Sequence, residues 1–183
     1  MSGTVKTATP PARHPGRLTT TEACPYCPPG AAPVPMALVV SFGFLHDGPP
    51  GYGEHRDPEE AGEREELPRA DVVADLREHF RDPHAVDGLR ELTADDPRVT
   101  AAVLATPGIT TLISGLCVTA RGYRAGGRPV TIAVGCAGGR HRSAAVAAAV
   151  ARQLEAGGVP AAVVHRDIRR PVVRRGREPG RAS

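Results

Sequence analysis

Val130-Thr-Ile-Ala-Val-Gly-Cys-Ala-Gly-Gly-Arg-His-Arg-Ser143 is the stretch that decides the fold of this chain. Its first five residues form a short apolar run, which is typical of a buried strand. The glycines and basic residues after them predict a loop, and residues 143–156 form an Ala-rich helix in which apolar residues recur every fourth position. A second apolar run, 161–164, follows a Gly-Gly pair. This order predicts a βαβ unit with parallel strands and a right-handed crossover.

Segments upstream complete the predicted architecture. Residues 36–44 and 70–77 are short apolar runs that end in glycine or polar residues, and both predict strands. Asp96-Pro97 and Thr106-Pro107 each place a capping side chain before a proline, which predicts helices over 97–105 and 107–124. We therefore expect an α/β fold, a Rossmann-like layered sheet of about four to five mostly parallel strands with flanking helices.

The ends of the chain differ in composition from its middle. Residues 1–35 hold eight of the 19 prolines and almost no apolar periodicity, which predicts a disordered Pro-rich tail. Residues 36–172 are expected to fold, and residues 173–183 are expected to form a basic disordered tail. Residues 54–71 carry a net charge of −5, which is typical of a solvated loop.

The composition excludes several classes of protein. Aromatic residues make up only 3% of the 183 residues, so the chain lacks the aromatic platforms of RNA-recognition-motif and cold-shock domains. The net charge is only +3, so any attraction for phosphate must come from local basic patches. No membrane-length apolar run or secretory signal is present, so we expect a cytoplasmic protein without membrane contact. Cys24 and Cys27, with His14 upstream, do not supply the four ligands of a structural metal site. We therefore expect no metal and no cofactor.

The loop after the third predicted strand indicates an anion site. Gly138 and Gly139 let backbone amides face a common point, and the helix start adds free N–H groups and a partial positive charge. Four residues add further donors or a cap: Arg140, His141, Arg142 and Ser143. Ligands of open α/β sheets bind at the carboxyl ends of the strands, where this loop lies. The combination favours a phosphate site, although a glycine turn with surface arginines has the same pattern.

Cys136 leaves a second interpretation open. With Arg142 and Ser143 it matches the Cys-x5-Arg-Ser spacing of cysteine-dependent phosphatases, in which a thiolate attacks phosphorus and the arginine holds the oxygens. Such an enzyme also needs a general acid. Three aspartates are candidates for it: Asp47, Asp71 and Asp75. Alternatively, Cys136 is a small buried residue that closes a strand, and the chain is a binding domain without catalysis.

A second basic cluster follows the last predicted strand. From His165 to Arg181 the chain has seven arginines and two acids. Beside a phosphate loop, such an arm suggests a polyanionic partner, whereas the alternative is a solubilising tail. Candidates at this sheet edge come from the cluster and from other strand ends and loops: Arg166, Arg169, Arg170, Arg77, His84 and Arg90.

These residues resemble the C-terminal domain of the RapZ family of RNase adapter proteins, also described as nucleotide-binding proteins. The most specific matching element is Gly135-Cys-Ala-Gly-Gly-Arg-His-Arg-Ser143. The others agree in order and spacing over residues 36–172: Ser41-Phe-Gly-Phe44, Ala70-Asp-Val-Val-Ala-Asp-Leu-Arg77, Asp82-Pro-His84, Leu89-Arg90 and His165-Arg-Asp167. The family usually has threonine at the position of Ala137 and a basic residue at that of Leu45.

The resemblance implies an α/β domain similar to sugar-phosphate-binding domains, which binds small RNA and an aminosugar phosphate. Five residues would line the site by the family's pattern: His84, Arg90, Gly138, His141 and Arg142. The ligand would be RNA or a phosphorylated small molecule, and a nuclease, another protein or a second copy of the chain would be a further partner. The chain has no Gly-x-x-x-x-Gly-Lys-Ser/Thr motif, so the nucleotide hydrolysis of the family's N-terminal half is not carried over.

Overall fold

The computed structural model describes residues 35–46, 48–51, 67–80, 89 and 91–171, all within the unit formed by residues 32–183. Several predicted features lie outside the described residues: both tails, most of the acidic segment, Cys24, Cys27, Asp47, His84 and Arg90. Among the described helices, none is by itself long and apolar enough to span a bilayer. The first two helices, Pro97–Leu104 and Ile109–Arg124, would together meet the requirements of length and composition, but the chain bends by 87° between them.

The described chain forms four strands and three helices. The strands are β1 (Ala37–Gly43), β2 (Val72–Asp75), β3 (Val130–Cys136) and β4 (Ala161–His165). The helices are α1 (Pro97–Leu104), α2 (Ile109–Arg124) and α3 (Arg142–Ala156). This arrangement confirms the predicted α/β class with a parallel sheet and flanking helices.

The sheet has the strand order β2-β3-β1-β4, and all three pairings are parallel. β3 and β4 are therefore parallel, as predicted, but β1 lies between them. The connection after β1 leads to β2 on one side, and the connection after β3 leads to β4 on the other side. The reversal lies between β1 and β3, where Gly43 pairs with Cys136. In open α/β sheets such a reversal at the carboxyl ends of the strands is where ligands bind.

The main core lies between the sheet and the helices. α3 packs on β1, β3 and β4, and α1 and α2 pack on α3. The predicted apolar stripe of α3, namely Val146, Val150 and Leu154, is fully buried against strand residues such as Val39 and Ile132. Full burial of each such side chain contributes about 1.5–3 kcal/mol to the stability of the fold. This packing holds α3 against the sheet and so fixes its start at the end of β3.

Three element boundaries differ from the sequence prediction. α2 begins at Ile109 after Gly108, whose φ of 87° is left-handed, so Thr106-Pro107 does not cap it. α3 begins at Arg142 after His141, without a side-chain cap. The prediction that Ser143 caps α3 is therefore wrong. β2 ends at Asp75 because its carboxylate accepts a hydrogen bond from the Arg77 N–H at 2.9 Å, which turns the chain away.

Asp96 caps α1 as predicted. Its carboxylate accepts from the Arg98 N–H at 2.9 Å, and Pro97 occupies the first helical position.

Candidate functional site

The segment between β3 and α3, residues 137–141, lies against the carboxyl end of β1. A Cβ on Gly139 would be 2.8 Å from the Asp167 Cβ and 2.9 Å from the Gly43 nitrogen, and a Cβ on Gly43 would be 2.7 Å from the Gly138 carbonyl carbon. Gly139 also has a φ of 76°. Gly43 and Gly139 therefore both require glycine, because a side chain at either would push the loop off the sheet.

Most of the donors that this segment leaves without a hydrogen-bond partner among the described residues are backbone amides; the buried Nε of Arg140 is a side-chain donor in the same state. Among the described residues, six consecutive or nearly consecutive N–H groups donate no hydrogen bond: those of Ala137, Gly138, Gly139, Arg140, Ser143 and Ala144. The first intrahelical bond of α3 runs from the Ala145 N–H to the His141 carbonyl at 2.9 Å. Free N–H groups at a helix start also carry the positive end of the helix dipole. We name residues 137–144 the amide loop.

The basic side chains of the amide loop hold backbone carbonyl groups of other segments. Arg140 donates from Nη1 to the Arg170 carbonyl at 2.8 Å and from Nη2 to the Glu91 carbonyl at 3.1 Å. His141, only 5% exposed, donates from Nε2 to the Leu92 carbonyl at 2.7 Å. Carbonyl oxygens have negative partial charge, so they stabilise the two guanidinium groups and accept from the imidazole in close proximity without an anion.

Arg142 joins the amide loop to the segment after β2. Its side chain is 6% exposed, and Nη1 donates to the carbonyls of Leu76 at 3.0 Å and Phe80 at 2.6 Å. Residues that follow β2 and residues that precede α1 are thus fixed to one loop by long polar side chains. The sequence places these basic side chains at the loop. In the structure they hold the loop in position through contacts with carbonyl groups, instead of extending away from it.

Cys136 and Ser143 are in contact, with Sγ and Oγ 3.1 Å apart. Both residues are buried, and Cys136 belongs to the apolar core beside Leu76 and Val134. The same Arg142 guanidinium that a phosphatase would place over the thiol has its Nη1 on two carbonyl groups. This geometry suits a core cysteine that closes a strand, the second of the two interpretations considered from the sequence.

Asp167 organises the second basic cluster and limits its charge. This carboxylate is fully buried; its Oδ2 accepts from the Gly43 N–H at 2.8 Å and from Arg166 Nε and Nη2 at 3.0 and 2.8 Å. Its Oδ1 lies 3.1 Å from Arg170 Nε, an ion-pair distance without hydrogen-bond alignment. A single carboxylate thus pairs with two of the three predicted arginines and offsets one of their two positive charges, while Arg169 is exposed.

Arg77 also has a carboxylate partner. Its Nε lies 3.0 Å from both carboxylate oxygens of Asp75, and Nη2 lies 2.6 Å from Oδ2. This contact lowers the pKa of Asp75. Because the ionised carboxylate neutralises the guanidinium, Arg77 is a weaker phosphate ligand than its position in the sequence suggests.

His46 is a candidate that sequence reasoning missed. Its ring lies against Gly43, with Cδ2 2.9 Å from the position that a Cβ there would take, and Gly138 approaches the same point. Nε2 is buried and has no hydrogen-bond partner among the described residues. An unsatisfied buried polar atom is uncommon, so His46 is a candidate for contacting a ligand of the amide loop. The signal in the sequence that could have identified His46 is that a basic residue stands one position after Leu45.

Comparison with known proteins identifies related sequences. A family model described as RapZ C-terminal domain matches residues 60–169. A nucleotide-binding protein of Frankia casuarinae is 46% identical over 139 residues, which cover 73% of this chain and 42% of the relative. A nucleotide-binding protein of Streptomyces coelicolor is 40% identical over 139 residues, covering 73% of this chain and 40% of the relative.

A nucleotide-binding protein of Mycobacterium avium is 40% identical over 150 residues, covering 77% of this chain and 44% of the relative. The chain thus spans less than half the length of these curated relatives.

Proposed function

This chain belongs to the RapZ C-terminal domain family, and from that premise we propose that its amide loop binds a phosphate group. The proposal covers a phosphate on a small sugar phosphate or nucleotide, or a phosphate of structured RNA. The relatives are named nucleotide-binding proteins, which supports a phosphorylated ligand. The domain recognises this ligand without transforming it.

The observation that carries the proposal is the set of six backbone N–H groups of the amide loop that have no hydrogen-bond partner among the described residues. Phosphate oxygens accept several hydrogen bonds at once, and glycine-rich loops at helix starts provide donors with little steric hindrance. Gly138 supports the same assignment, because no described residue lies within 4 Å of the position that its Cβ would take. The loop is held rigid by Arg140, His141 and Arg142, so little conformational entropy is lost when an anion binds.

RNA binding draws on a different set of residues. Arg169 is exposed in the segment that follows β4, and further arginines follow in residues 172–183, outside the described residues. Each arginine that contacts a phosphate releases counterions, so affinity for RNA falls steeply with salt. A nuclease, another protein or a second copy of this chain would then be the partner to which RNA is presented.

Inorganic phosphate tests the amide loop directly. In 15N-labelled protein, the amide resonances of the loop are expected to shift together and to saturate as phosphate is added, because their N–H groups gain an acceptor. Chloride at the same ionic strength is the control and should leave them in place. Saturable shifts confined to other residues, or no shifts at all, would show that the phosphate proposal is wrong.

His46 provides the matched variants. His46→Ala is expected to weaken phosphate binding roughly tenfold, the cost of about one charge-assisted hydrogen bond. His79→Ala is the control, since His79 is an exposed histidine in the turn after β2, and it should bind phosphate as the wild type does. Equal affinity of the two variants would remove His46 from the site.

RNA binding is tested by titrating a fluorescent structured RNA at two salt concentrations. Arg169→Ala should weaken binding and reduce the salt dependence by about one counterion equivalent. Arg152 is also exposed and lies within α3, ten residues after the first residue of that helix. Arg152→Ala therefore removes a comparable charge and should leave the affinity for RNA unchanged. Affinity that does not depend on salt would rule out the RNA part of the proposal.

A further inference from the structure

Two phenylalanines and two arginines form a stack at the carboxyl edge of the sheet. The rings of Phe42 and Phe44 meet edge to face with centroids 4.7 Å apart. The Arg77 guanidinium lies over the Phe44 ring at 3.7 Å, and that of Arg166 lies 5.5 Å from the centroid of Phe42. Gly135 makes the space for both rings, because a Cβ there would be 2.4 Å from Phe44 Cε2 and 2.5 Å from Phe42 Cζ.

The outer member of this stack is a flat, fixed and accessible surface. One face of Arg77 is covered by Phe44, and its edge is held by the Asp75 carboxylate through Nε and Nη2. The Arg77 side chain is nevertheless 43% exposed. Its exposed surface therefore lies outside the parts that Phe44 and Asp75 cover.

The stack is joined directly to the start of the amide loop. The Phe44 N–H donates to the Cys136 carbonyl at 2.9 Å, and the Leu45 N–H donates to the Ala137 carbonyl at 3.0 Å. On the other side, the Leu76 N–H donates to the Gly135 carbonyl at 2.8 Å. The segments that carry Phe44 and Arg77 thus flank the residues from which the free amides begin.

We propose that the exposed face of Arg77, supported by Phe44, stacks on a nucleobase, so that the ligand of the amide loop is a nucleoside monophosphate unit. Bases stack on aromatic rings and on arginine planes alike, and this contact needs a flat surface rather than a net charge. The pairing with Asp75 that makes Arg77 a weak phosphate ligand therefore suits it to this role. The inference rests on the proposed phosphate function and specifies its ligand class.

Three probes separate the contributions of base and phosphate. AMP, ribose 5-phosphate and inorganic phosphate are titrated into the full chain by calorimetry. AMP is expected to bind roughly tenfold more tightly than ribose 5-phosphate, a difference of about 1.4 kcal/mol from one stacked base. Arg77→Lys keeps the charge but removes the plane, so it should abolish this advantage and leave the affinity for ribose 5-phosphate unchanged.

Two further variants control this result. Phe44→Leu removes the support below Arg77 and should reduce the AMP advantage without abolishing phosphate binding. Arg128→Lys makes the same change in an exposed arginine that precedes β3, at the opposite edge of the sheet, and should retain the full advantage.

The outcomes distinguish this inference from the proposed function. Equal binding of AMP and ribose 5-phosphate by the wild type, or an AMP advantage that survives Arg77→Lys, overturns the stacking inference and leaves the phosphate site intact. If none of the three probes binds, both proposals are wrong. If a short oligoadenylate binds more tightly than AMP and its binding depends on Arg77, RNA is identified as the source of the base. Equal or weaker binding identifies a free nucleotide as the source.

Discussion

Gly138 and Gly139 are adjacent in the amide loop, but the structure predicts opposite consequences for replacing them with alanine. Gly139 has a φ of 76°, and its Cβ would lie 2.9 Å from the Gly43 nitrogen and 3.1 Å from the Phe42 carbonyl carbon. Gly138 has no such φ, and in the described part of the chain no atom lies within 4 Å of the position of its Cβ. Gly139→Ala therefore tests the close approach of the loop to β1, and Gly138→Ala is its matched control.

The magnitude for Gly139→Ala has two parts. A left-handed alanine costs roughly 1–2 kcal/mol, and forcing a methyl group against backbone that cannot rotate away costs roughly 1–3 kcal/mol. The free energy of unfolding should thus fall by about 2–5 kcal/mol. Gly138→Ala has neither cost, and the reduced entropy of its unfolded chain should raise the free energy of unfolding by about 0.4–1 kcal/mol.

Urea unfolding followed by circular dichroism measures both changes. With an m-value of about 2 kcal/mol per molar urea, a loss of about 3 kcal/mol lowers the midpoint by about 1.5 M. The m-value itself should stay constant, because the surface exposed on unfolding is the same. If Gly139→Ala unfolds within about 0.3 M of Gly138→Ala, the loop does not approach β1 as described, and the argument for a rigid amide loop fails.

Three further predictions concern ligand affinity, pH and thiol reactivity. Ala137→Thr should strengthen phosphate binding roughly fivefold by adding a hydroxyl donor at the loop, measured by calorimetry, and Ala137→Val, which has the same shape without the hydroxyl, should not. Burial lowers the pKa of His165, whose Nδ1 lies 2.8 Å from Ser41 Oγ. The unfolded state therefore binds more protons than the folded state below about pH 6.5, so the free energy of unfolding should fall as the pH drops through that value. Urea unfolding at pH 5–8 measures this dependence, and His165→Gln should flatten it. Identical pH profiles of the variant and the wild type would contradict the assignment. Burial also raises the pKa of Cys117, and Cys136 is buried as well, so peptide mapping should find both labelled by a thiol reagent only after denaturation.

The order and class of the elements could be predicted because they depend on local patterns. The apolar run of β3, the stripe of α3 and the Asp96-Pro97 cap each fix a conformation with residues near in sequence. Boundaries were predicted less well where a side chain or a glycine acts on its own backbone, as Asp75 does at the end of β2 and Gly108 does before α2.

The loop and its backbone donors could be predicted, but not the contacts of its side chains. Sequence spacing places three basic residues at the start of α3, and it does not reveal that Arg140, His141 and Arg142 hold carbonyl groups from segments about 30 to 66 residues away. It also does not reveal His46, whose relevance comes from the approach of its ring to Gly43, which the loop nearly a hundred residues later in the chain also approaches.

The sequence by itself determined the parallel α/β architecture, the glycine-rich loop between β3 and α3, and the family to which the chain belongs, because periodicity and short motifs are properties of neighbouring residues. Only the tertiary structure decided which groups are available to a ligand. Hydrogen-bond partners, charge neutralisation by Asp75 and Asp167, and the stack of Arg77 on Phe44 all join residues that are distant in sequence or depend on side-chain direction. For that reason the sequence indicates both backbone amides and basic side chains as phosphate donors, whereas the folded molecule leaves six of those amides without a partner among the described residues and uses the basic side chains to hold the loop.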